Sequence, residues 1–189
     1  MRRSWVRVLT LLVIGTAALT SSAQNSPPDK YQPTEVDVKA AFLYHFAQLV
    51  TWPETEEGDP TAPLVIGVLG HDPFGDRLDA TIGGETIRGR PVKIVRLGSV
   101  SELASPPQIL FVGSVDRDEV NRCLSAVAKA PVLTVSSAAG FARRGGMIEF
   151  RLTPDRRVAF DINVQAATAV GLKMSSQLLK VARIVEGPK

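Results

Sequence analysis

Leu64-Val65-Ile66-Gly67-Val68-Leu69 is an unbroken apolar run. A strand with one wet face alternates apolar and polar residues, so a continuous run marks a strand covered on both faces. Gln108 to Val112 and Val132 to Val135 repeat the pattern. Helical stretches lie between these runs. Asp72 is expected to cap a short helix with Pro73 at its first position, broken by Gly83-Gly84. Glu85–Ile87 and Val92–Val95 read as short strands around Gly89, and Ser99 opens a helical turn. Asp116 and Glu119 form a capping box for a helix to Ala130, where Pro131 stops it. Ala138 to Ala142 reads as a helical turn closed by Gly145-Gly146.

The flanks complete the layers. Thr34-Glu35-Val36-Asp37 is a capping box for a helix to about Thr51, with Val38, Phe42, Phe46 and Leu49 as its apolar stripe. Trp52-Pro53 ends it. Met147–Thr153 and Val158–Ile162 alternate as a hairpin in which Phe150 opposes Phe160, Ile148 opposes Ile162 and Glu149 opposes Asp161. Asn163 caps a last helical region to about Val185, interrupted near Gly171, with an extended step before Ser175 or Ser176 caps again. Strands alternating with helices, closed by a hairpin, predict an α/β fold. It is a single layered domain with a mixed sheet, helices on both faces, and a C-terminal hairpin and helix.

Of the 22 basic residues, Arg2, Arg3 and Arg7 stand ahead of the apolar run Val8–Leu19, and Ser21-Ser22-Ala23 supplies small residues at a cleavage site before Gln24. That is the pattern of a secretory signal peptide over residues 1–23. The apolar run is shorter than the ~20 residues a membrane span needs. Without a cysteine after it, no lipid anchor is expected. Residues 24–33, with three prolines, read as a disordered linker, and residues 34–186 as the domain. The expected mature protein is soluble, exported to the periplasm and not membrane-embedded. Its 19 remaining basic residues match 19 acids, so nucleic acid is not the expected partner. Cys123 is alone, which rules out an intrachain disulfide, and with two histidines no metal site or cofactor is expected.

Phosphate loops of the G-x-x-x-x-G-K and G-x-G-x-x-G kinds are absent, as is the nucleophile elbow G-x-S-x-G. His45 reads as a helix residue with its ring partly buried. His71, with Asp72 beside it, follows the Leu64–Leu69 strand at the carboxyl end, where open α/β sheets bind ligands. His71 and Asp72 are candidate ligand-binding residues. Glu149 and Asp161 would bring two carboxylates ~5 Å apart on the hairpin's outer face. Arg151 on that face is the expected neutraliser on a solvated surface. The alternative is a surface that recruits a basic partner or ligand. Lys173-Met174-Ser175-Ser176 matches a nucleotide-binding tetrapeptide of class I tRNA synthetases, but a helix cap explains its serines without a ligand.

Val38-Lys39-Ala40-Ala41-Phe42-Leu43-Tyr44-His45-Phe46-Ala47 followed by Trp52-Pro53 resembles the opening helix of the YfiR-type periplasmic family. Pro131-Val132-Leu133-Thr134-Val135, then Phe141-Ala142 and Gly145-Gly146-Met147-Ile148, resembles its central block. Phe160-Asp161-Ile162-Asn163, Ala166-Ala167, Gly171-Leu172-Lys173 and Leu178-Leu179-Lys180-Val181-Ala182 resemble its closing block. The resemblance implies a periplasmic regulator, not an enzyme. Such proteins form dimers and hold the periplasmic domain of an inner-membrane YfiN-type diguanylate cyclase inactive. Other members would serve sensor histidine kinases. It places the partner-binding surface at Ile148, Asp161 and Ala167, and leaves Lys173 and Ser175 to hold a small anion. The family's cysteine pairs have no counterpart here. A small-molecule binding protein built on His71 and Asp72, or a hydrolase built on Glu149 and Asp161, are the competing readings, which calorimetry with a sensor's periplasmic domain separates.

Overall fold

Thr34 starts the first helix as its sequence requires. Its hydroxyl accepts from the Asp37 amide at 3.3 Å, while the Thr34 amide donates to Asp37 Oδ2 at 2.7 Å. In this computed structural model, which describes residues 32–53 and 61–188, that helix is α1, Glu35–Leu49. The expected signal peptide and most of the linker lie outside the described residues. Pro33–Lys189 forms one compact unit.

Helix α1 stops two residues before the expected Thr51. Val50–Thr51 is instead a short strand, β1, and Leu49 C=O accepts from the Ser175 amide at 2.9 Å. The β-branched pair ahead of Pro53 favours extended backbone. There follow β2 Leu64–Leu69, α2 Asp76–Ile82, β3 Thr86–Ile87 and β4 Arg90–Leu97. Next come β5 Ile109–Val112, α3 Arg117–Ala126, β6 Leu133–Ser136, β7 Ile148–Leu152 and β8 Val158–Ile162. The chain closes with α4 Val164–Ala169, β9 Lys173–Met174, α5 Ser176–Val181 and β10 Arg183–Ile184. One-turn 3-10 helices follow Ser99 and Phe141.

Asp72 does not cap α2. Its Oδ1 accepts from the amides of Phe74 and Gly75 at 2.7 and 3.2 Å, an Asx turn, and the helix begins only at Asp76 with Gly75 at the cap. Helix α3 is capped by Asp116, which accepts from the Glu119 amide at 2.9 Å. The return half of that box is absent, because the Asp116 amide donates to Ser114 Oγ. It ends at Ala126 rather than Ala130, as turns unwind the chain toward Pro131. The last helical region is interrupted near Gly171, as expected, but ends at Val181 rather than Val185. Gly171, at φ +79°, turns the chain after α4, and Ser175 caps α5 by accepting from the Leu178 amide at 3.2 Å. After Val181 the chain straightens into β10.

Among the described residues the sheet has eight strands in the order β10-β8-β7-β6-β5-β2-β4-β3. Pairs from β4 through β7 are parallel, as is β8 with β10, while β7–β8 and β3–β4 are antiparallel. The hairpin register is the expected one, Ile148↔Ile162, Glu149↔Asp161 and Phe150↔Phe160. A two-residue pair, β1 with β9, stands apart. Helices lie on both faces. Ile66, Val68, Ile109, Phe111, Leu133, Val135, Phe150 and Phe160 pack beneath α1, α2, α4 and α5. The deepest α1 residues are Ala40, Leu43, Phe46 and Ala47, so the buried face is turned from the expected stripe, and His45 is exposed. Small alanines let α1 sit close to the sheet. On the other face Leu69, Leu110, Val112 and Val132 meet Val120, Cys123, Val127 and Phe141.

Cys123 is fully buried in that second layer, and burial, with Glu119 adding to it, pushes its thiol up to about 11. Thiolate is the reactive form. Native protein at neutral pH is therefore expected to resist a thiol reagent such as dithionitrobenzoate until it unfolds, and reductant is expected to leave Tm unchanged. Rapid modification of the folded protein, read as absorbance against time, would place Cys123 at an opening in the α3 layer.

Candidate functional site

The residues expected to bind a ligand fall at opposite ends of the sheet. His71 and Asp72 follow the carboxyl end of β2. Lys173 lies in β9, paired with Thr51, and the adjoining Trp52 donates from Nε1 to Gln108 C=O at the amino end of β5. Since β2 and β5 are parallel in register, the two pairs do not converge. Both Ser175 polar groups are engaged, its amide by Leu49 and its hydroxyl by Leu178. Asp72 organises its loop. While Oδ1 holds the Asx turn, Oδ2 accepts from Arg96 Nε at 2.8 Å, and Arg96 also bonds Asp79 at 2.5 Å and Gly75 C=O at 2.8 Å. Asp79 and then Asp72 hold the Arg96 guanidinium well above its ordinary pKa. His71 is exposed.

Sheet order reverses between β2 and β5, the place where such folds open a ligand crevice. Here backbone fills it. The Gly113 amide donates to Leu69 C=O at 2.9 Å, and a Cβ on Gly113 would lie 1.7 Å from His71 C=O. Gly113→Ala must therefore push the two loops apart. We expect a loss of about 2–4 kcal/mol in denaturant unfolding, as for strained or overpacked substitutions. An unchanged midpoint would mean that the loops part freely.

The hairpin carries the densest polar chemistry. Alternation puts Ile148 and Phe150 on the α1 face and Glu149, Arg151 and Asp161 on the other. Arg151 neutralises this face as expected, but the Asp161 carboxylate is not solvated there. Asp161 is only 3% exposed. Arg151 Nε and Arg183 Nε both donate to its Oδ1 at 2.8 Å, and Arg183 Nη2 closes a second bond to Oδ2. Burial pushes the Asp161 carboxyl up, but the bonds from Arg183 and Arg151 outweigh it and hold the group below the ordinary carboxylate value. Glu149 turns away from Asp161 and accepts from the amides of Gly140 and Ala142 at 2.8 and 3.1 Å. The like-charge opposition is thus relieved on both sides. Arg151 was expected. Arg183 was not, because reading a helix to Val185 hid the strand that brings it opposite Asp161.

The three residues expected at the partner surface do not form one. Ile148 and Ala167 are fully buried in the α1-side core, and Asp161 lies on the opposite face under its arginines. Asn163 supports this corner from within. Its Oδ1 accepts from the Ala166 amide at 3.0 Å, capping α4, and Nδ2 donates to Ala142 C=O at 2.9 Å. An open apolar groove of about 310 Å³, which the sequence did not announce, lies between the end of α3 and α4, lined by Leu124, Val127, Met147, Ala166 and Val170.

The model of the YfiR/HmsC-like family matches residues 36–183. The chain belongs to that family. No curated protein matches it. Among solved structures, a conserved domain protein from Vibrio cholerae aligns with a TM-score of 0.55 at 12% identity, over 82% of this chain and 60% of that one. An ABC domain in complex with L-Trp from Streptococcus pneumoniae aligns at 0.45 and 14% identity, over 64% and 55%. The chain spans little more than half the length of these structures. The first likeness concerns the fold alone. YfiR/HmsC-like membership covers α1 through the start of β10, so it includes the Asp161 cluster.

Proposed function

We propose that this YfiR/HmsC-like protein is a periplasmic regulator that binds the periplasmic domain of an inner-membrane sensor and restrains it. A diguanylate cyclase is the foremost partner, which links the protein to cyclic di-GMP and biofilm control. A sensor histidine kinase fed by a small ligand is the second reading. The family match over residues 36–183 carries the proposal. The site chemistry agrees with binding rather than hydrolysis. Asp161 is held ionised beneath two arginines, which disfavours proton donation at neutral pH, and Glu149 is engaged by backbone amides. Ile148 and Ala167 would then shape the surface from below rather than touch the partner, and His71, Asp72, Lys173 and Ser175 would serve their loops and caps.

Calorimetry of the exported protein against the periplasmic domain of a membrane diguanylate cyclase encoded beside its gene tests the reading. Saturable heat, with cyclase activity falling as the regulator is added, is the expected result. No heat and unchanged activity would overturn it. Export is checked separately. N-terminal sequencing of the periplasmic product should begin near Gln24, and a membrane-bound product retaining Met1–Ala23 would contradict the reading of the leader. Light scattering of the same preparation is expected to give the mass of a homodimer.

A further inference from the structure

We infer that the bare face of β7, β8 and β10 is a receptor for an extended acidic segment of the protein partner, anchored on Arg151 and Arg183. This deepens the proposed function and rests on it. The expectation from sequence had the opposite sign, with Glu149 and Asp161 recruiting a basic group. Both carboxylates are already engaged within the protein, so what faces outward is arginine.

The helical segments of this layer pack over β2, β5 and Val132 at the entry to β6, and no apolar residue of β7 or β8 joins their core. The face is left to Glu149, Arg151, Ala159, Asp161 and, from β10, Arg183. The Asp161 carboxylate sits at the bottom, its side chain 4% exposed, with Arg151 at 32% and Arg183 at 56% above it. The bonds to Asp161 use Nε of Arg151 and Nε with Nη2 of Arg183. Both terminal nitrogens of Arg151 and Nη1 of Arg183 have no partner among the described residues. Asp161 therefore fixes two guanidinium planes while leaving donors free, the arrangement that suits bidentate capture of further carboxylates.

The surroundings share the sign. From Gly140 to Asp161, together with Arg183, six arginines stand against three carboxylates, although the chain beyond the leader is balanced at 19 and 19. Arg143 and Arg144 follow the turn whose amides cap Glu149, and Arg157, ion-paired with Asp155, lies at the far end of the hairpin. Among the described residues Arg143 is exposed with no ion-pair partner, and Arg144, which donates from Nη1 to Ala139 C=O, has a buried Nε without a hydrogen bond. Arg143 and Arg144 ahead of β7, Arg151 within it and Arg157 after it thus follow one another along the hairpin, an order that suits an extended chain segment. A lipid surface fits less well. Between the arginines the face offers Ala159 and no large apolar side chain to enter a membrane, and half-buried Arg151 sits below the plane a bilayer would present.

A titration of the isotope-labelled exported protein, followed by amide NMR, tests this with a hexaglutamate peptide as probe. At low salt, hexaglutamate should shift amides of residues 149–161 and 183, hexalysine should not, and 0.5 M NaCl should abolish the effect. Arg143→Gln/Arg157→Gln, which leaves Asp161 and its two partners intact, should weaken the peptide at least threefold. Arg183→Gln should weaken it at least tenfold, with a thermal melt reporting any loss of fold. Shifts elsewhere, unchanged affinity in the double variant, or binding of phosphatidylglycerol vesicles in place of the peptide would each overturn the proposal. The cyclase domain separates the two readings. If it binds wild type and the double variant equally, the regulator stands and the arginine face falls. If it does not bind at all while hexaglutamate still maps to the face, the receptor stands and the cyclase partnership falls.

Discussion

Replacing Phe46 by aspartate is expected to leave no folded protein at 25 °C. Phe46 is completely buried. Its ring stacks on Phe150 at 5.7 Å, meets Phe160 edge-on at 5.2 Å and stacks on Phe42 at 5.8 Å, and so ties α1 to the hairpin. Deleting such a ring costs about 3–5 kcal/mol through lost transfer energy and the cavity. An unpaired carboxylate in the hole adds several more. The sum reaches the roughly 5–15 kcal/mol that holds a domain together. Circular dichroism should show no cooperative melt. Phe46→Leu keeps an apolar side chain and should lose only about 1–2 kcal/mol, and His45→Ala, on the exposed side, should be silent within about 0.5 kcal/mol. A folded Phe46→Asp protein with the wild-type melt would show that α1 does not seal the core.

How much was legible depended on whether local sequence decided the geometry. Leu64–Leu69 has no polar residue to place in water, so its double burial followed from composition. The hairpin register followed from period two, because slipping by one residue would put Glu149 and Asp161 in the aromatic core and Phe150 and Phe160 outside. Caps at Thr34, Asp116, Asn163 and Ser175 could be read because each depends on a side chain a few residues away. What failed depended on distant partners. Val50 and Thr51 read as helix until Lys173 and Met174 arrive to pair with them. Arg183 read as a helix residue until Asp161, 22 positions earlier, claims it. Asp72 looked like a cap because nothing local announced Arg96. At the site, the sequence located the unusual pair of carboxylates and expected compensation, but not that two arginines and two backbone amides would supply it.

That compensation makes Asp161→Ala a test of structure before function. With the charge gone, Arg183 loses both its bonds and Arg151 loses its own. Removing one member of a fully buried pair costs about 3–5 kcal/mol, because the other charge is left stranded. Arg183 is more than half exposed and can turn to water, so about 1–3 kcal/mol is expected here. The loss should be local, since β10 is held otherwise by the Val185 amide on Ile162 C=O at 2.9 Å. Acid should act as the mutation does. The carboxyl is held below its ordinary value, so its contribution to stability is full above the unfolded pKa of about 4 and disappears as pH falls through the lower folded one. Wild type should weaken in that range, and Asp161→Asn should be less sensitive there. If the arginines alone contact the partner, Asp161→Ala frees their donors but lets their planes wander. Affinity for the cyclase domain should then fall because orientation is lost, and Asp161→Glu, which keeps the charge, should restore part of it. A variant with unchanged melt and unchanged affinity would mean that Asp161 neither holds β10 nor aligns Arg151 and Arg183. Full stability with lost affinity would instead make the carboxylate itself the contact, which its burial argues against.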